Sequence, residues 1–287
     1  MKIVTDRAMD LAPAQLQGLE LTYAPLRFTI DGKSYSSGVD MQPEAFYEML
    51  SKTESFPTTS QPSAGEFAEI YRELAKSGEE ILSIHVSSGL SGTMNSARLG
   101  AEMVPEAKVT FIDSRTLSCP LGWQVEAAAR AVRAGWSLEK IKAKLAEISD
   151  KANGIYTLAE LKYLIHGGRI SHMKALVASV LNIKPIITVE KEKGTYITVG
   201  QDFTLNKAIV KIADIVTKWY AGETKLRMQP LHGKNPEGAA LLVEKMKERF
   251  ELVLEPLTPI APVLGAHTGP SMLGMAVGPA NLFADIP

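Results

Sequence analysis

Four polar segments carry residue types that could hold a small anion. The first is IHVSSGLSGT, Ile84–Thr93, where an apolar run passes into serines and glycines without a charge. At the end of a strand and the start of a helix, such a loop offers free backbone N–H groups and the positive end of the helix dipole. Ser88, Ser91 and Thr93 bring hydroxyls to it, although Ser91 or Thr93 could equally be the N-cap of the next helix. The second segment is PTTSQPSAGEF, Pro57–Phe67, read as a loop. There Ser63 and Glu66 make a capping box for a helix starting near Ala64, while Thr59, Ser60 and Gln61 have no such duty. The third, PVLGAHTGPSMLGMAV from Pro262, is also read as a loop and sets His267 and Thr268 among glycines and prolines. A lone histidine is more often structural, but the glycine-bounded setting favours a ligand role. In the fourth, LIHGGRIS, Gly167-Gly168 should end a helix and throw Arg169 outward, with Ser171 free to cap the next one. An outward arginine is either solvated or docks a phosphate-bearing partner.

The chemistry these residues suit is the holding of an anion. The first loop lacks the Gly-Lys-Ser/Thr ending of a P-loop and the three-glycine dinucleotide fingerprint. An alternative is serine acyl hydrolysis, since GLSG follows a strand and Ser91, Asp113 and His267 occur in α/β-hydrolase order. Thr93 at the fifth position of that elbow, where glycine is expected, speaks against it. A phosphorylated small-molecule binder would use the same loop but leaves neighbouring apolar sequence unexplained. Asp113 and Ser114, ending FIDS, add a further polar point at the same sheet edge. The histidines, at 85, 166, 172, 232 and 267, form no metal-ligand pattern, so neither metal nor cofactor is expected.

Short β-branched runs must position these segments: KIVT, EILSIHV and KVTFI alternate with the helical patterns SAGEFAEIYRELAKSG, SGTMNSARLGAEMV and PLGWQVEAAARAVRAG. This alternation predicts a parallel sheet covered on both faces. Asp31-Gly32 between LRFTI and KSYSS is a hairpin turn. The pattern breaks near residues 150 to 155. Beyond it, KPIITVEKEKGTYITV reads as two strands joined by a charged turn. A helix from about Leu205 to Trp219, a strand near KLRMQPLH, a helix through NPEGAALLVEKMKERF and a strand near ELVLEPL follow. We therefore expect an N-terminal α/β domain over residues 1–152 and a C-terminal α+β domain over 153–287, with the ligand between them.

Composition narrows the classes. The chain has 287 residues, enough for two ordinary domains without covalent staples. A net charge of -1, with 22% charged and 45% hydrophobic residues, provides no basic excess for nucleic acid. The single cysteine, Cys119, excludes an internal disulfide framework and suits a reducing compartment. MKIVTDRAMD enters a strand at once, without a signal-peptide pattern, and no apolar run approaches a bilayer span. The expectation is a cytoplasmic protein with at most transient contact with a membrane surface.

TSQPSAGEF, SIHVSSGLSGT, IDS, GGRIS, LNIKPI and GAHTGP, in this order and spacing, resemble the DegV family of bacterial fatty-acid-binding proteins over essentially the whole chain. The resemblance implies a two-domain DegV-like fold with an apolar tunnel for a long-chain fatty acid. Some members are the lipid-carrying subunit of bacterial fatty acid kinase. They have no turnover of their own and present the carboxylate to a separate dihydroxyacetone-kinase-like subunit, which makes the acyl phosphate with ATP. Carried over residue by residue, the carboxylate is held by Thr59, Ser91 and His267, with Ser60, Ser88, Thr93 and Thr268 as possible further contacts. Arg169 would engage the kinase. Neutral hydroxyls and one imidazole would hold the carboxylate without an arginine clamp. ALVASVLNI from Ala175 and SMLGMAV from Ser271 are candidate tunnel linings, although plain core is the favoured reading for most of their side chains. The chain departs from the family at Arg7, where Asp-Ser is common, and at His166, which replaces a basic residue. It departs again at Gln201 and Asp202, where arginine-rich sequence is common. The head-group residues are intact; the basic surface for a kinase is weaker.

Overall fold

The computed structural model describes residues 1–172 and 183–286. Its first sheet joins β1 (Lys2–Asp6), β2 (Leu21–Ala24), β6 (Ile81–His85) and β7 (Val109–Asp113), all parallel, in the order β2-β1-β6-β7. Leu82 and Ile84 of β6 face one way, whereas Ile81, Ser83 and His85 face the other. That two-residue period with both faces buried is what a central parallel strand requires. Helices α3 (Ala64–Ala75) and α4 (Thr93–Glu102) cover the face of Ile81. Helices α5 (Ser118–Arg133) and α6 (Leu138–Lys151) cover the opposite face. The Ser63–Glu66 capping box starts α3, with Glu66 N–H on Ser63 Oγ at 3.2 Å and Ser63 N–H on Glu66 Oε2 at 2.8 Å.

The second sheet is mixed. It contains β8 (Asn153–Thr157), β9 (Lys184–Val189), β10 (Tyr196–Asp202), β11 (Lys225–His232), β12 (Glu251–Leu254) and β14 (Leu273–Pro279). The order is β10-β9-β8-β14-β11-β12, with β13 (Thr258–Pro259) beside β11. Helices α8 (Leu205–Trp219) and α9 (Pro236–Lys247) pack on Leu226 and Met228. On the other face, Arg227 and Gln229 reach α5. Helix α5 thus lies between the two sheets, and 13 of its 16 residues are buried. Trp123 at its middle donates Nε1–H to Gln229 Oε1 at 2.7 Å. Gln229 also exchanges hydrogen bonds of 3.1 and 2.8 Å with Gln15 of the short α1 (Pro13–Leu16). Cys119, the only thiol of the chain, is fully buried on the same helix. Each sheet takes its strands from one side of residue 152, while the core joining Ile3, Leu82, Trp123, Tyr156 and Ala276 runs through both.

A third, antiparallel sheet of β3 (Arg27–Ile30), β4 (Lys33–Ser36) and β5 (Thr58–Ser60) packs beside α2 (Pro43–Leu50). Asp31 and Gly32 turn the β3–β4 hairpin with φ of 50° and 74°. Two local expectations change. Thr58–Ser60 is a strand, not a polar turn, because its backbone pairs with β3, Thr59 opposite Phe28. Pro262–Thr268 is a helix, α10, not a loop; Pro262 sits in its first turn, where no N–H is needed, and Gly269 with φ 74° ends it. SMLGMAV is largely core, as favoured for most of its side chains: Leu273, Met275 and Val277 lie under α8 and α9, and Met272 and Ala276 join the core shared by the two sheets.

A donor-lined pocket between the two sheets

Thr59 on β5, Ser91 just before α4 and His267 in the last turn of α10 meet at one pocket of about 90 Å³. Arg169 joins them from the turn after α7 (Lys162–His166). Thr59 Oγ1 and His267 Nε2 are 2.8 Å apart. Ser91 Oγ is 2.8 Å from Thr93 Oγ1 and accepts Thr93 N–H at 3.3 Å. Ser60 and Gln61 complete the polar wall. Gln61 Nε2 donates to Ser96 Oγ at 3.0 Å, and a side chain at Gly92 would overlap its amide, so the first two loops touch. Leu26, Val86, Leu90, Leu117, Val263 and Leu264 form the apolar wall, with Tyr196 of β10 from the second sheet. Among the described residues no carboxylate lines this pocket.

His267 is 9% exposed. Burial first, and the Arg169 guanidinium second, push its pKa down to about 3, so the ring is neutral at neutral pH. Among the described residues its Nδ1 has no partner, and it lies against Gly167, where a Cβ would overlap it. With the proton on Nε2, the ring donates to Thr59 Oγ1 and leaves the threonine hydroxyl hydrogen for a ligand oxygen. Arg169 departs from expectation: it is not thrown outward. Gly168 at φ 73° turns the chain, Arg169 Nη1 donates to Gly167 O at 2.8 Å, and the half-buried side chain lines the pocket. A set of neutral donors beside one cation can hold a carboxylate and does not need to take a proton from it.

The family model for the DegV family of uncharacterised proteins matches residues 1–280. The chain belongs to the DegV family. A DegV domain-containing protein of Staphylococcus aureus is 35% identical to it over 275 residues, covering 96% of this chain and 97% of that one. The structure of a fatty-acid-binding DegV family protein from Thermus thermophilus matches with a TM-score of 0.88 at 29% identity, over 97% of this chain and 99% of its own. DegV of Bacillus subtilis, a fatty acid binding protein, gives 0.85 at 28% identity, over 96% and 98%. The DegV-like α/β fold expected from the sequence is the fold observed.

Not all the expected site residues of this DegV chain converge. Ser88 is exposed and bonds Asp113 Oδ2 through its hydroxyl at 2.5 Å, away from the pocket. Thr93 is buried beneath Ser91, and Thr268 Oγ1 donates to Leu264 O at 3.2 Å within α10. The hydrolase arrangement does not assemble, because Ser91 bonds Thr93, Asp113 bonds Ser88 and Arg115, and His267 Nδ1 bonds none of the described residues. A triad-like chain exists elsewhere: Asp6 Oδ2 to His85 Nδ1 at 3.0 Å, and His85 Nε2 to Ser83 Oγ at 2.7 Å. All three residues are fully buried and Tyr71 OH occupies the serine side at 2.8 Å, so no substrate reaches it. Asp6 also accepts N–H bonds of 2.9 Å from Ala8 and Val86, two residues of the pocket wall. The i, i+2 spacing of Ser83 and His85 on one strand was the available sequence signal for this chain; Tyr196 had none. Arg7 lies 3.7 Å over the Tyr23 ring, and His166 stacks on Phe56 at 4.4 Å. Gln201 and Asp202 end the edge strand β10. The Ala175 run and the Ser171 cap lie outside the described residues and side chains. No group of three His, Cys, Asp or Glu side chains suited to a metal occurs among the described residues.

Proposed function

We propose that this DegV protein is a cytoplasmic carrier of a long-chain fatty acid. It presents the carboxylate to a separate dihydroxyacetone-kinase-like subunit for ATP-dependent conversion to the acyl phosphate. The observation that carries this reading is the pairing of Thr59 and His267 at 2.8 Å beside Ser91 and Arg169. The fatty-acid-binding relatives at 28–29% identity support the ligand class. In the transfer, a carboxylate oxygen attacks the terminal phosphorus of ATP and the bond to ADP breaks. A neutral His267 leaves the negative charge on that oxygen. Arg169 steers the head group and offers donors to the phosphates of a docked kinase. The carrier itself contributes no turnover and no cofactor, and its contact with a membrane surface is transient.

Affinity comes mainly from the tail. About fifteen methylenes at about 0.8 kcal/mol each give roughly 12 kcal/mol before association costs. The pocket of about 90 Å³ is smaller than the cavity of about 150 Å³ that takes up benzene, so it fits the head group and the first carbons. The remaining carbons lie beyond it. Mass spectrometry of ligand extracted under denaturing conditions tests the reading, with near one fatty acid per chain expected. Ser91→Ala and Thr59→Ala should retain lipid yet accept phosphate less well from such a kinase. A phosphorylated compound in place of lipid overturns the proposal.

A further inference from the structure

The loop carrying Ser91 is seated from behind by the second half of the chain. Ser87 Oγ donates to Gly194 O at 2.8 Å, in the charged turn between β9 and β10. A Cβ on Gly89 would overlap the carbonyl oxygens of Lys193 and Gly194, and one on Gly194 would overlap Ser87 Oγ. Backbone therefore meets backbone, with no room for a side chain on either side. Asp113 accepts N–H bonds of 3.2 Å from both Ser88 and Arg115. Arg115, in the left-handed region at φ 54°, pairs with Asp113 at 3.1 Å and donates through Nη1 to Glu192 O of the same turn. The Arg115 side chain is 41% exposed, so this ion pair contributes little by itself, and the constraint rests on the glycine contact and the backbone donors. Two residues after Gly194, Tyr196 enters the pocket wall. One turn thus touches the Ser91 loop and delivers a wall residue to the same pocket.

We propose that the turn over residues 190–195 is the template for the head-group site. Gly89 and Gly194 set its height under the Ser91 loop, and Ser87, Asp113 and Arg115 are positioning residues. This rests on the fatty-acid reading above and names residues that do not touch the ligand. Moving the turn displaces Ser91 and Tyr196 together, whereas Thr59 and His267, on other elements, stay in place.

Gly89→Ala is the sharp test, because Gly89 does not take a left-handed φ and the atoms a Cβ there would first meet are the Lys193 and Gly194 carbonyls. The Ser87→Ala/Arg115→Ala double variant removes the polar contacts without adding bulk and serves if Gly89→Ala fails to fold. Hydrogen exchange in the ligand-free protein reads the seat alone: residues 86–93 should exchange faster in both variants and residues 264–268 of α10 should not. With carboxyl-¹³C palmitate, the bound signal should shift and affinity should fall about tenfold, the effect of losing a hydrogen-bonded contact or two. Unchanged exchange over 86–93 in folded variants overturns the template. So does a wild-type carboxyl signal and affinity. If the wild type takes up no palmitate while exchange changes as expected, the template stands and the fatty-acid reading falls.

Discussion

At the scale of single residues, two buried titrating groups pull stability in opposite directions with pH. His267 has its pKa pushed down to about 3, so between that value and about 6.5 the unfolded chain binds the extra proton. Its contribution to stability is present above about 6.5 and is lost as the pH falls through that window. Asp10 is the reverse. Its carboxylate accepts Ser118 Oγ at 2.5 Å and Ala261 N–H at 2.9 Å, yet burial outweighs both bonds and raises its pKa to about 7. Between about 4 and 7 the folded state holds the proton, so stability is gained as the pH falls. Each slope reaches about 1.4 kcal/mol per pH unit, and the two largely cancel between about pH 4 and 6.5. His267→Asn should therefore become more stable from pH 7 to pH 5, and Asp10→Asn less stable, while the wild type changes little. Urea midpoints at the two pH values measure this. Parallel profiles for all three proteins would mean that neither group is held in the stated form.

At the scale of elements, the joint between α7 and α10 sets the head-group geometry. Gly167 closes α7 directly against the His267 ring, and Tyr163 lies where Gly269 would carry a side chain. Gly167→Ala should push the imidazole off Thr59 and lower fatty-acid affinity by more than Thr59→Ala does, because the ring itself is displaced in the pocket. Gly168→Ala, with open space around it but φ at 73°, should cost about 1–2 kcal/mol of stability and leave that affinity alone. Equal loss of affinity in both would show that backbone strain, not the ring contact, matters. The glycine pair was readable in the sequence as a helix end, but its packing partner was not. Local pattern did place α8, the β9–β10 hairpin and the Ser63 cap, because period, turn chemistry and caps are encoded within a few residues. It missed β5 and α10. The first exists only through pairing with a strand some thirty residues away, and the second is a short helix of small residues whose glycines read as loop. Arg169 failed for the same reason: its direction is set by Gly168 and by a carbonyl of its own turn, and composition shows neither. Thr59, Ser91 and His267 did converge, since each had no complete structural duty in its own segment.

At the scale of the molecule, α5 belongs to both sheets at once. A chain whose two halves each closed their own core would unfold in two steps. Here the shared helix and the core running across residue 152 should enforce one. Far-UV circular dichroism and tryptophan fluorescence should then give coincident urea transitions, and separated midpoints would contradict the shared core. The same helix holds the one cysteine, its thiol pushed well above the ordinary range by burial between the sheets. That position makes the molecule its own clock. A thiol reagent in excess cannot reach Cys119 until the sheets part, so labelling keeps time with their opening, one event per chain. Ligand spanning the two halves should slow it, and occupancy becomes legible as a rate without any tag on the lipid.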